Sequence, residues 1–305
     1  MDEFAGKLAA VTGGGSGMGR ELVRQLAVHG CSVAACDWNA GAVADTAAKA
    51  RATAPDGVRV SSHVCDVSDE GQVQRFRDEL LREHAADHVD LVFSNAGIGG
   101  GASFLESSRE EWERTFAVNW WGTYYCARTF LPLLIASGDG VLVNTSSVNG
   151  FWASLGPHMP NSAYATAKFA IKGFTEALIE DLRTNAPQVR VALVMPGHVG
   201  TDIIANTRRA HGMPEPENTS AERIETAFRE KGLTSAAAAT IILDGVRSGS
   251  WRILVGHDAK VLDAVVRARP EAAYDYAKLA MAAAKTAVED RASSWFDAIR
   301  SLFPS

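Results

Sequence analysis

The chain carries 305 residues with a formal net charge of −6, a balance that argues against a nucleic-acid surface, and no basic run exceeds the Arg208-Arg209 doublet. Its length suits one large α/β domain, or a domain with an appendage, and is enough to bury a substantial core. No apolar stretch approaches the ~20 residues a membrane helix needs, and the acidic first residues lead straight into a strand, so no secretory signal peptide is expected.

Residues 7–12 form the first predicted strand. They run into Thr12-Gly-Gly-Gly-Ser16-Gly17-Met18-Gly19 and then an amphipathic helix, 18–29, with Leu22, Val23, Leu26 and Ala27 on its apolar face. Glycines let the backbone take positive φ and let a phosphate approach closely. A helix N-terminus offers free N–H groups to an anion. The spacing is T-G-x-x-x-G-x-G rather than G-x-G-x-x-G, but a strand before and a helix after are the context a dinucleotide loop requires. The second strand, 32–37, ends at Asp37, eighteen residues past Gly19. A carboxylate there hydrogen-bonds the adenosine ribose and repels a 2′-phosphate. No Lys or Arg lies in 13–19 or in Trp38-Asn39, so NAD is expected over NADP; the plainer role for Asp37 is a helix cap.

Further strands are predicted at 58–64, 89–94, 140–146, 189–195 and 251–255, and helices at 40–53, 69–84, 109–136, 162–184 and 234–248. The alternation predicts the α/β class: a doubly wound, Rossmann-type parallel sheet with helices on both faces, three layers in all. Such sheets bind ligands at the carboxyl ends of their strands. The polar and glycine-rich segments at 12–19, 37, 66, 94–97, 146–147 and 196–201 all fall there, which predicts one composite site.

Tyr164 and Lys168 stand four apart in a helix-forming run, so one turn brings both onto the same face. A phenol is a poor base at neutral pH. At ~5 Å and an effective dielectric near 20, an ammonium favours the phenolate by roughly 3 kcal/mol, or about two pKa units. The plainer alternative is a solvated lysine beside a half-buried tyrosine. Ser146 and Ser147 precede this helix and, by strand alternation, point opposite ways.

Taken together these motifs resemble the short-chain dehydrogenase/reductase family, in its branch with an Asn-Ser-Tyr-Lys catalytic tetrad, over about residues 5–257. The resemblance implies that Asn119, Ser147, Tyr164 and Lys168 are catalytic. Tyr164 exchanges a proton with the substrate oxygen, Ser147 holds that oxygen, Lys168 binds ribose and lowers the tyrosine pKa, and Asn119 holds a relay water. It implies a cofactor set of Thr12, Gly13, Ser16, Gly17, Met18 and Gly19 in the loop and Asp37 and Trp38 at the ribose. Asp66 and Val67 belong at the adenine, Asn95, Ala96 and Gly97 at the fourth strand end, and Pro196, Gly197, Val199 and Thr201 at the nicotinamide amide. Ser94 replaces the first asparagine of the family's N-N-A-G.

The implied activity is an NAD-dependent alcohol dehydrogenase or ketone reductase, working on a small-molecule secondary alcohol or ketone. A catalytically silent cofactor-binding regulator or scaffold of the same fold is the alternative. The stretch between Ser147 and Tyr164, with Phe151, Trp152, Leu155 and Met159, is expected to wall the pocket, because loops on a rigid scaffold carry specificity. His198 and Ile203 are further substrate candidates, with Met213 and residues 98–105 on other sides. A lid is read at about 201–232. Few charges line this pocket, so a bulky hydrophobic substrate is expected.

His84 and His88 have a spacing that can ligate zinc, but no third ligand accompanies them, and no metal is expected. Cys31, Cys36, Cys65 and Cys126 lack disulfide spacing and read as reduced core residues of a cytoplasmic protein. The domain reading is 1–258 for the NAD-binding and catalytic unit and 259–305 for a helical extension, which packs over its own pocket or embraces a partner. Aromatic residues on 109–136 and 162–184, including Trp120, Trp121, Tyr124, Phe169 and Phe174, together with the family's habit of pairing these helices, predict a homodimer or homotetramer.

Overall fold

The computed structural model describes residues 4–100, 103–154, 160–214 and 219–275. Strand β1 (Leu8–Thr12) is buried on both faces, as a central parallel strand must be. After it come α1 (Gly17–Val28), β2 (Ser32–Asp37), α2 (Ala40–Arg51), β3 (Val60–Val64), α3 (Glu70–His84) and β4 (Leu91–Ser94). The second half holds α4 (Arg109–Phe116), α5 (Gly122–Ala136), β5 (Gly140–Thr145), α6 (Ser162–Asn185) and β6 (Val189–Pro196). The seventh sheet strand is β9 (Arg252–Val255), preceded by α9 (Ser235–Arg247).

These strands form one parallel sheet in the order β3-β2-β1-β4-β5-β6-β9. The order reverses at β1, between β2 and β4, so the crevice above their carboxyl ends is the switch point of a doubly wound fold. Alternation along the strands builds a core on each side. Ala9, Val11, Val33 and Ala35 pack with α1, α2 and α9, while Leu8, Ala10, Ala34 and Cys36 pack with α3, α5 and α6. All four cysteines are buried and free. The helix starts follow local chemistry: Asn39, Asp69, Ser108 and Thr234 each accept a backbone N–H of the first turn.

Three features depart from the sequence reading. The helix expected over 109–136 is broken by one π-helical turn, Ala117–Trp121, between α4 and α5. The lid region holds β7 (Val199–Gly200), α7 (Ile203–Ala210), α8 (Thr219–Lys231) and β8 (Leu233–Thr234), with β7 and β8 paired as a small ribbon. Past β9, α10 (His257–Ala268) and a 3₁₀ turn (Pro270–Ala272) fold back on the loop after β5. Trp152 Nε1 donates to the Ala273 carbonyl at 2.9 Å, and the Ala153 N–H donates to the Tyr274 hydroxyl at 3.0 Å. The described part of the extension therefore packs over its own loop. The remainder, 276–305, lies outside the described residues. Among the described residues no helix is long and apolar enough to cross a membrane.

Candidate active site

Above the strand ends lies a cavity of about 770 Å³ that runs from Asp37 and Asp66 at one end to Ser147 and Tyr164 at the other. Its floor begins at the glycine-rich turn. Gly13 has φ +67°, and a Cβ there would sit 2.8 Å from the Ala96 Cα, so the turn needs glycine twice over. Gly13, Ser16, Gly17 and Met18 line the cavity. Thr12 and Gly19, expected on the cofactor, stand behind it. Thr12 Oγ1 accepts the N–H groups of Asn95 and Ala96, both at 3.0 Å, stitching the end of β1 to the end of β4. Gly19 packs against the Gly13 carbonyl with no room for a side chain.

Asp37 is buried at the end of β2. Its Oδ2 accepts the Gly15 N–H at 3.0 Å and its Oδ1 the Asn39 N–H at 2.9 Å. Burial raises the carboxyl pKa, while those N–H groups and the Arg20 guanidinium pull it back down. Arg20 itself donates to the Gly15 carbonyl at 2.8 Å. An arginine therefore does stand near Asp37, although the loop sequence 13–19 contains none.

Farther along the cavity, Asp66 Oδ2 accepts from Arg114 Nη2 at 2.8 Å and Oδ1 accepts from Ser68 Oγ at 2.7 Å. Burial pushes this carboxyl up, but Ser68 and Arg114 outweigh it and hold the pKa below the ordinary value. Arg114 lies 48 residues from Asp66, so nothing local in the sequence pointed to the pair. Trp38, Val67, Asn95, Ala96 and Gly97 complete this half of the lining.

The other half is set by β5, α6 and β6. Ser146 is buried, with its hydroxyl donating to the Lys168 carbonyl at 2.7 Å. Ser147 faces the cavity, accepts the Asn149 N–H at 3.1 Å and stands beside Tyr164, whose pKa its hydroxyl lowers. Lys168 Nζ lies 5.4 Å from the Tyr164 ring centroid and donates to the Thr145 carbonyl at 3.1 Å. Asn119, fully buried in the π-helical turn, donates through Nδ2 to Ile98 and Thr115 carbonyls, each at 2.8 Å. Its Oδ1 is buried without a hydrogen-bond partner and lies against Gly97 on the Lys168 side. Ser147, Tyr164, Lys168 and Asn119 are thus brought together from two separate elements, α6 and the π-helical turn, and the loop after β5.

The electrostatics correct one expectation. Burial raises the Tyr164 pKa above that of a free phenol, and the Ser147 hydrogen bond offsets only part of the rise. Burial also brings Lys168 down to about 7. Helical spacing alone favoured a phenolate beside a full ammonium. Desolvation penalises both charges and outweighs their attraction at this distance.

Ile203 lines the cavity, with Ile98, Val148, Ile204, Ala227 and Phe228 around it. Trp152 borders it but is only 2% exposed and packs on Leu262 and Ala273, so it is chiefly a core anchor. Phe151 joins that same cluster, and Met213 is exposed away from the cavity. Leu155 and Met159 lie outside the described residues. His198 is held by Phe228, whose carbonyl its Nε2 meets at 2.8 Å. Helix α7 spans the mouth: Asn206 Nδ2 donates to Ser16 Oγ at 2.9 Å, and the Gly99 N–H donates to Thr207 Oγ1 at 2.7 Å. His84 is buried on Ser61 and His88 sits on Asp87, so the two imidazoles serve different partners.

A parallel doubly wound sheet, a glycine-rich turn at its switch point and a Ser-Tyr-Lys wall in one cavity define a nicotinamide-dependent oxidoreductase. The donor set fits that cofactor. Glycine backbone and a helix N-terminus meet phosphates, Asp37 suits ribose hydroxyls, and the unpartnered Oδ1 atoms of Asn95 and Asn119 leave acceptors over. The sequence model of the short chain dehydrogenases matches residues 7–212, and the chain belongs to the short-chain dehydrogenase/reductase family.

SadH of Mycobacterium tuberculosis, named as an oxidoreductase, is 36% identical over 88% of this chain and 92% of its own. The meso-2,3-butanediol dehydrogenase of Serratia marcescens is 32% identical over 66% of this chain and 74% of its own. A short chain dehydrogenase/reductase from Burkholderia phymatum, solved in complex with NAD, superposes with a TM-score of 0.77. It is 33% identical, over 89% of this chain and 95% of the other.

Proposed function

We propose that the protein interconverts a secondary alcohol and a ketone with NAD as hydride acceptor or donor. The observation that carries this reading is Ser147, Tyr164 and Lys168 lining the same cavity as the glycine-rich turn, with Lys168 Nζ 5.4 Å from the Tyr164 ring centroid. The nicotinamide cofactor supplies or takes the hydride. Gly13, Ser16, Gly17 and Met18 would hold its phosphates, Asp37 and Trp38 its adenosine ribose, and Asp66 and Val67 its adenine. Asn95, Ala96 and Gly97, with Pro196, Gly197, Val199 and Thr201, would frame the nicotinamide half.

In oxidation the Tyr164 oxygen takes the proton of the substrate hydroxyl, and in reduction it returns it. Ser147 donates a hydrogen bond to that same substrate oxygen and fixes it. Lys168, with a pKa of about 7, gains and loses a proton near neutrality and binds the cofactor ribose. Asn119 Oδ1 holds the water that passes the proton outward. All four positions are filled, which gives the silent-scaffold alternative no support. Incubation with NAD⁺ and a panel of secondary alcohols, followed by absorbance of the reduced cofactor, tests the reading; no reduction with any alcohol, and none in reverse with ketones, would overturn it.

Cofactor choice rests on Asp37, whose carboxylate opposes a 2′-phosphate. Arg20 tempers the repulsion, since its charge acts on the same carboxylate. Wild type is expected to prefer NAD(H) in kcat/KM, and Asp37→Ala to narrow that preference at least tenfold. Equal efficiency of the wild type with both cofactors would remove the assignment. A structure of a metagenomic relative, 30% identical with a TM-score of 0.56, holds NADP, so the choice is made by individual residues.

The apolar lining, Ile98, Val148, Ile203, Ile204 and Phe228, favours bulky hydrophobic substrates over sugars or small acids. The names of the butanediol dehydrogenase and of a levodione reductase, 30% identical over 73% of this chain, support a secondary alcohol or ketone. The aromatic cluster of Trp120 and Trp121 in the π-helical turn, Tyr124 on α5 and Phe174 on α6 leaves Trp121 exposed, as is Phe169 on α6. We expect this face to pair two copies across a two-fold axis, giving a dimer or tetramer. A monomer by light scattering at micromolar concentration would refute it.

A further inference from the structure

We infer that Asp258, in the first turn of α10, is a positioning residue for the nicotinamide end of the cofactor. The inference rests on the proposed cofactor site and adds to it a residue well beyond the family match, which ends at 212. Residues 196–199, where β6 runs through Gly197 and His198 into β7, border the cavity, and in the proposed site their backbone meets the nicotinamide. A backbone loop holds a ligand only if its peptide planes are themselves held.

Three bonds hold them. The Gly197 N–H donates to the Val255 carbonyl at 2.9 Å, and the Leu233 N–H donates to the His198 carbonyl at 2.9 Å. The His198 N–H donates to Asp258 Oδ2 at 2.6 Å. The third is a charge-assisted bond to a side chain, and so the strongest of the set. Since a trans peptide sends its N–H and C=O opposite ways, the bond to Asp258 also fixes where the Gly197 carbonyl points. The carboxylate is wedged so close that a Cβ on Gly197 would overlap both of its oxygens. Glycine at 197 therefore answers Asp258 as much as any ligand.

Asp258 stands on a rigid mount. Asp263, one turn and a half further along α10, pairs with Arg252 of β9 and with Arg267. Leu262 on the same helix packs on Trp152 and Ala273. The helix is thus pinned both to the last strand and to the loop that follows Ser147. A group on such a mount holds its partner to a fraction of an ångström, as a binding constellation requires.

The test is equilibrium binding of NADH to the full chain, followed by cofactor fluorescence, for Asp258→Ser and Asp258→Asn. Both replacements keep a short polar side chain at this position, but serine is too short to reach the His198 N–H, whereas the asparagine carbonyl reaches it. Asp258→Ser is expected to weaken NADH at least tenfold and Asp258→Asn no more than threefold. The KM for cofactor should rise with serine while the KM for alcohol stays within twofold. Asp258→Ser binding NADH as tightly as wild type would overturn the inference, and so would asparagine failing to restore what serine loses. Wild type that binds no NADH would instead overturn the proposed function itself.

Discussion

Tyr164→Phe is expected to cut turnover at least about a hundredfold, the usual scale of general acid–base work, with NADH affinity unchanged. The substitution deletes one hydroxyl and almost no volume, and the ring's place beside Lys168 needs no oxygen. What disappears is the atom that Ser147 touches. Because burial raises the phenol pKa, the wild-type hydroxyl stays protonated at neutral pH unless a positive charge is brought beside it. Ketone reduction, which needs a proton donor, should therefore hold its rate to lower pH than alcohol oxidation does. A variant that kept more than a tenth of wild-type turnover would show that some other group moves the proton.

Lys168→Met is expected to abolish activity and weaken cofactor binding while raising the melting temperature at pH 6. Lys168 is only 3% exposed, and burial lowers its pKa from 10.5 to about 7. Below pH 7 the folded state carries a buried ammonium, so the full desolvation cost is present. Between about 7 and 10.5 the unfolded chain binds a proton that the folded chain has released, so stability rises with pH across that window. Each tenfold loss of proton affinity on folding corresponds to about 1.4 kcal/mol, and the fall from 10.5 to about 7 spans more than one such step, against about 1 kcal/mol for the lost bond to Thr145. Methionine should thus stabilise most at pH 6 and hardly at all near pH 10. Calorimetry at both values decides it: a melting temperature lowered at pH 6 would mean that the lysine is held by more than its one carbonyl.

These two residues also show how far the sequence could be read. Their helical spacing put them on one face, and the apolar runs and glycine turn located the seven sheet strands to within two residues. Periodicity and turn chemistry are local, and so are legible. The direction in which the tyrosine pKa moves was not, because spacing reports a neighbour but not the dry surroundings that penalise its charge. Arg114 with Asp66 and Asp258 with His198 were invisible for a different reason. Each joins residues 48 or more apart, and no motif announced them. Helix α7 escaped because it is eight residues long, too few turns for a periodic apolar pattern to stand out in the sequence. The π-helical turn at Asn119 likewise reads as ordinary helix until its backbone is seen.

With a dinucleotide bound as proposed, the clasp between Asn206 and Ser16 would set the order of events in the cavity. It joins the turn that would meet phosphate to a helix lying over the mouth, with Thr207 fastened to Gly99 beside it. A dinucleotide held from Asp37 to Ser147, as proposed, would lie in the cavity that this helix lines. A clasp that had to open for so long a ligand would make it the first to enter and the last to leave, with alcohol and ketone exchanged in between.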